Sequence, residues 1–124
     1  MSAGRYDLYV EQGATFERVC FYQSADGTPI NLTGMTMAAQ IRRSYSDSTI
    51  TQAITITIPT QTGGDVGKFV LSMTDAQTSG IPVTQATDFE NNLTNYTWDL
   101  ELNTGTTVKR ILQGSVAVSP EVTR

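Results

Sequence analysis

From Tyr96 to Asn103 the chain alternates without a break. Tyr96, Trp98, Leu100 and Leu102 are interleaved with Thr97, Asp99, Glu101 and Asn103. A period of two puts the first set on one face of a β-strand and the second on the other. The segment Thr104-Gly-Thr-Thr107 then turns the chain into a second run, Val108-Lys-Arg-Ile-Leu-Gln-Gly-Ser-Val-Ala-Val-Ser119, so the pair reads as a β-hairpin. A helix cannot bury this pattern on one side. The inward set includes the only tryptophan, which makes the hairpin the expected centre of a core.

The rest of the chain predicts more strands of the same kind. Tyr6 to Gln12 reads as a first strand broken by Gly13, and Thr15 to Tyr22 as a second, with Val19 and Phe21 expected inward. Asp26-Gly27 and Pro29 mark a turn, where glycine supplies positive φ and proline blocks continuation. Ile30 and Leu32 are expected to plug the edge of the core. Met35, Met37, Ala39 and Ile41 give a third inward face, Ile54, Ile56 and Ile58 a fourth, and Phe69, Leu71 and Met73 a fifth. Asp75 to Gly80 fits one short helix, with Thr74 as its cap. Pro82 to Leu93 reads as a polar connection into the hairpin. About seven strands and at most one short helix in 124 residues predict a single domain over residues 1–124, all-β, an antiparallel β-sandwich of roughly immunoglobulin-like size. The cysteine pair of true immunoglobulin domains is absent, so the prediction concerns architecture alone.

Chemistry is harder to find. The chain has no histidine, which removes His-based triads, the usual proton shuttle near neutral pH and every His-containing metal site. Cys20 is the only cysteine, so no intrachain disulfide or cysteine zinc cluster forms. It reads as a small core or interface filler. Asp99 and Glu101 share a strand face, yet alternation already demands polar residues there. Gly63-Gly-Asp-Val-Gly67 lacks both the Gly-Lys-Ser/Thr ending of a phosphate loop and the spaced oxygen ligands of a calcium loop, and reads as a turn. Tyr96 with Trp98 would make a sugar-stacking platform only if outward, and their parity puts them inside. No catalytic residue, cofactor or metal site is therefore expected.

The formal net charge is −4, and the densest basic stretches, Arg42-Arg43 and Lys109-Arg110, are two residues each, which disfavours nucleic acid as a partner. No stretch approaches the roughly 20 apolar residues needed to span a bilayer. The N-terminus has no apolar run of a secretory signal, so membrane association is not expected and assembly in a cytoplasm is. Contact with other proteins remains. Tyr45, on the polar loop after Arg42 and Arg43, is the foremost candidate interface residue, with Arg42, Arg43, Tyr6 and Tyr9 beside it, since tyrosine and arginine are enriched at interfaces.

Four segments carry a resemblance: Val10-Glu-Gln-Gly-Ala-Thr-Phe16, Asp26-Gly-Thr-Pro-Ile-Asn-Leu-Thr-Gly34, Ala39-Gln-Ile-Arg42 and Leu112-Gln-Gly-Ser-Val-Ala-Val-Ser-Pro-Glu-Val-Thr-Arg124. In order and spacing they resemble a family of small tailed-bacteriophage proteins similar to the N-terminal domain of siphophage baseplate upper proteins. The resemblance runs from about Tyr6 to the C-terminus. It implies a non-enzymatic virion protein, a tail or baseplate adaptor or hinge that attaches tail-fibre or receptor-binding proteins. Its partners would be other phage structural proteins, as a homo-oligomer in the virion. Baseplate upper proteins continue into a long stalk where this sequence stops, so an adaptor, hinge or decoration subunit is expected rather than a fibre. A capsid decoration or head–tail joining protein and a carbohydrate-binding module are the alternatives.

Overall fold

The computed structural model describes residues 4–83 and 93–123. Eight strands, one short α-helix and one 3-10 turn follow in the order β1 (Gly4–Arg5), β2 (Leu8–Glu11), β3 (Phe16–Phe21), β4 (Thr36–Arg42), β5 (Gln52–Thr57), the turn Gly63–Asp65, β6 (Lys68–Met73), α1 (Asp75–Ser79), β7 (Thr94–Asn103) and β8 (Val108–Ser119). The all-β expectation holds. The predicted first strand, Tyr6 to Gln12, is shorter, with β2 covering Leu8–Glu11, and the two-residue β1 precedes it across Tyr6 and Asp7. Residues 84–92 of the predicted polar connection lie outside the described residues. No helix among the described residues is long and apolar enough to cross a membrane.

The strands form one curled path, β1-β8-β7-β4-β5-β6-β3, with β2 also paired to β8. The curl comes from β5. Its Gln52–Ile54 half pairs with β4 and its Thr55–Thr57 half pairs with β6, so one strand hands the sheet from one layer to the other. All pairings are antiparallel except those of β1 and β2, which run parallel to β8. The two layers close on one core. Leu8, Val10, Ala39, Ile41, Trp98, Leu100, Leu102, Val116 and Val118 come from one side, and Phe16, Phe69, Leu71 and Met73 from the other. Leu32 and Ile81 seal it from the connections.

Local chemistry explains the joints. Gly27 takes φ +88° in the Asp26-Gly27 turn, a region L side chains avoid. At α1, the Thr74 hydroxyl accepts from Gln77 N and the Gln77 side chain accepts from Thr74 N, a reciprocal capping box that compensates for the shortness of the helix. Thr78, the one buried polar residue described, accepts from Gly13 N and donates to Ala14 O, so it ties α1 to the turn after β2. The Gln12 amide donates to Ile81 O at 3.0 Å and accepts from Glu121 N at 3.1 Å, joining that turn to the tail after β8. The Tyr96 hydroxyl donates to Pro82 O, tying the start of β7 to the segment after α1.

The inward assignment of Val19 and Phe21 is corrected: they are 52% and 50% exposed. Register supplies the reason. Phe16, Arg18 and Cys20 lie directly opposite Met73, Leu71 and Phe69, whose side chains fill the core, so the even-numbered residues of β3 share the inner face. Cys20 packs against the core as the expected filler, and burial pushes its thiol up from the usual cysteine value.

Candidate functional site

The outer face of β4, β7 and β8 carries an open groove of about 300 Å³. Ala38, Gln40 and Arg42 of β4 line one side, Thr97, Asp99 and Glu101 of β7 the other. Arg110 of β8 and the loop residues Ser44 and Tyr45 stand at its margins. The register places Gln40 opposite Asp99, Ala38 opposite Glu101 and Arg42 opposite Thr97. Because the inner faces of β4 and β7 fill the core, alternation sends this polar set outward. The small side chain of Ala38 leaves the depression between longer neighbours.

Arg110 reaches this face through a bulge. Leu100 pairs with Leu112 but Glu101 pairs with Arg110, so Ile111 is an extra residue on β8. Without it, strict alternation would have given Arg110 the same side as Leu112, toward the core. The bulge shifts the parity and aims the guanidinium outward. Its Nε lies 3.2 Å from Asp99 Oδ2 and its NH1 donates to Gln113 Oε1 at 3.3 Å. Arg42 is equally engaged, donating to Gln40 Oε1 at 3.0 Å and to Asp47 O at 2.9 Å, which fixes the loop that presents Tyr45. Two guanidinium groups facing two carboxylates give a groove of balanced charge, suited to a partner that offers both signs and hydrogen-bonding groups rather than to a polyanion.

Of the expected interface residues, Arg42 and Tyr45 come together in this groove, and Tyr45 is 67% exposed at its rim. Arg43 alternates to the opposite side, its guanidinium 5.8 Å from the centre of the Tyr96 ring. Tyr6 is half-buried: its ring meets Trp98 edge-on at 6.3 Å and its carbonyl accepts from Trp98 Nε1 at 2.7 Å. Gly114 permits that approach, since a Cβ there would lie 2.4 Å from Tyr6 O. Tyr9 is exposed on β2, opposite Ala117 of β8 in the same layer, and does not line the groove. Sequence reasoning missed Arg110, Gln40 and Ala38 as members of one site. The adjacent apolar pair Ile111-Leu112, which breaks the alternation of the hairpin, was the available signal for the bulge.

Asp99 is tied up with Arg110, and neither an imidazole nor a thiol stands near it. Among the described residues no group of three or more His, Cys, Asp or Glu could hold a metal ion. The aromatic platform required by a sugar-stacking reading is missing at Tyr96 and Trp98, each only 2% exposed.

No family model and no curated protein matches the chain. Among solved structures it is similar to the NK cell receptor NKp44, a triggering partner in natural cytotoxicity, with 17% identity, 96% of this chain and 100% of that chain covered, and a TM-score of 0.38. It is similar also to a structure from work on the multimeric cell-adhesive interactions of VGSC beta subunits, with 12% identity, 98% and 96% covered, and a TM-score of 0.36. At TM-scores this low neither likeness transfers a function.

Proposed function

We propose that this protein is a non-catalytic docking module of a tailed-phage virion, a tail or baseplate adaptor that holds a fibre or receptor-binding subunit against the outer face of β4, β7 and β8. The observation that carries the binding role is the groove itself, a polar, charge-balanced depression with a largely exposed tyrosine at its rim, on a sheet whose other face is fully packed. A rigid backing is what a docking surface needs, because little ordering entropy is then lost on association. The virion role rests on the four resembling segments. In the fold these are joints: Gln12 links α1 to the tail, Asp26-Gly27 makes a turn and Leu32 seals the core. They support a shared scaffold, and the partners follow from the family resemblance.

Localising the chain on intact particles, by labelling or by matching its density in an electron-microscopy map, tests this reading. Signal at the tail tip or fibre roots is expected. Signal across the head would make it a decoration or joining protein, and signal on no particle would overturn the virion role. Paired Tyr45→Ala and Arg110→Glu substitutions should cut incorporation by roughly tenfold or more, the scale of a lost interface anchor, with folding unchanged. Undiminished incorporation would move the docking face elsewhere.

A further inference from the structure

The other layer ends in an open edge. β3 stands last in the strand path, with β6 on one side and no strand on the other among the described residues. Which backbone groups face outward follows from the ladder. Tyr22 N donates to Gly67 O at 2.7 Å in the same register that pairs β3 with β6. Because successive residues of a strand point their N–H and C=O groups to opposite sides, Phe16, Arg18 and Cys20 bond toward β6, and Glu17, Val19 and Phe21 present theirs to the open edge. The Arg18 guanidinium confirms the direction: it curls round the edge and donates to Glu17 O at 2.8 Å and to Tyr9 O of β2 at 3.2 Å. The side chains of Val19 and Phe21 stand on the outer face of the same three residues, half exposed.

We propose that β3 is a self-pairing edge, to which a second copy of this chain adds its own β3 antiparallel about a two-fold axis at Val19. The inference is independent of the virion reading. The sequence of the edge is self-complementary. Val19 meets Val19 of the second copy and exchanges both backbone hydrogen bonds with it, while Glu17 exchanges both with Phe21 of the second copy. Charge completes the match. Lys68 lies directly opposite Phe21 on β6, on the same face. In the pair, Glu17 of the second copy flanks Phe21 on its other side. The two charges then sit two strand spacings apart, roughly 10 Å between Cα atoms, a gap that a lysine and a glutamate side chain span together, so that Lys68, 3.6 Å from Asp65 of its own chain, is shared between the two carboxylates. The two-fold axis repeats this at the other end, as an isologous interface requires. The Arg18 contact does not block the edge, because a carbonyl oxygen has two lone pairs and Glu17 O can accept from Arg18 and from an incoming N–H. Pairing continues the sheet across two molecules, the recognition mode open to any unpaired strand edge.

Sedimentation equilibrium of the full chain over a wide concentration range tests this. A reversible monomer–dimer equilibrium is expected, with the Glu17, Val19 and Phe21 amides gaining protection from hydrogen exchange as the dimer forms. Val19→Lys puts like charges face to face at the axis and should raise the dissociation constant by roughly tenfold or more. Thr57→Lys adds the same charge to the same sheet face two strands from the edge, and should leave dimerisation unchanged. A wild-type chain monomeric at every concentration overturns the proposal. So does a dimer that forms without protection of those three amides, or one that Val19→Lys leaves intact.

Discussion

On β7 every large apolar side chain from Tyr96 to Leu102 is buried, whereas on β3 the apolar side chains divide between the faces, Phe16 inward and Val19 and Phe21 outward. The two strands draw on similar residues. They differ in what surrounds them. β7 lies between β4 and β8, so both its edges are paired and its parity is fixed by two registers. β3 has one neighbour, so only β6 dictates which of its faces goes inside. A central strand spends its apolar residues on the core, and an edge strand can keep some for another molecule.

Substitutions that exploit this difference can break or sharpen it. Trp98→Ala should cause the largest loss, about 3–5 kcal/mol in chemical denaturation, because it empties a fully packed site and leaves Tyr6 O without its donor. A loss near zero would mean that β7 is not the centre of the core. Next comes a contrast within β3. Phe16→Ala should cost about 3 kcal/mol or more and Phe21→Ala under about 1 kcal/mol, the values for a buried and a half-exposed ring. Equal losses would restore the opposite parity.

The smallest effect concerns the turn that follows β3. The Ser24 hydroxyl, with Thr28 N, donates to the Asp26 carboxylate and holds its pKa down to about 2. A depressed carboxylate pKa stabilises the fold above the unfolded value of about 3.9 and loses that contribution as pH falls toward the folded value. Carbon-detected NMR titration should therefore show Asp26 ionised until about pH 2, while the Trp98 environment stays unchanged through that range. Titration of Asp26 near the ordinary aspartate value would show that the turn is not closed by this carboxylate.

The hairpin was legible because its two faces differ in kind, Tyr-Trp-Leu-Leu against Thr-Asp-Glu-Asn. Period alone then gives both the element and its orientation. The turn at Asp26-Gly27 and the cap at Thr74 were legible for a similar reason, since the residues that make them act within a few positions of themselves. β3 carried apolar residues on both faces and one charge on each, Glu17 outward and Arg18 inward. A period of two without a polar face has no sign, and the long stem of Arg18 could lie along the inner edge while its head group reached the backbone. The groove was half legible. Tyr45 and Arg42 announced themselves as polar loop and strand-end residues. Their meeting with Asp99 and Arg110 depends on a β4–β7 register set by distant packing and on one extra residue at Ile111, neither of which local spacing encodes.

The parallel seam of β1 and β2 against β8 has a mechanical consequence. Gly4 pairs with Leu112 and Glu11 with Ser119, so the first and last strands run side by side in the same direction. Tension applied between the residues preceding β1 and those following β8 would drag these strands past each other along their length. Every bond of the seam would then bear load at once, instead of opening in succession as in a peeled hairpin. A subunit held by its two ends would transmit force through this seam like a lap joint, while the β4 and β7 walls of the groove stay outside the line of pull.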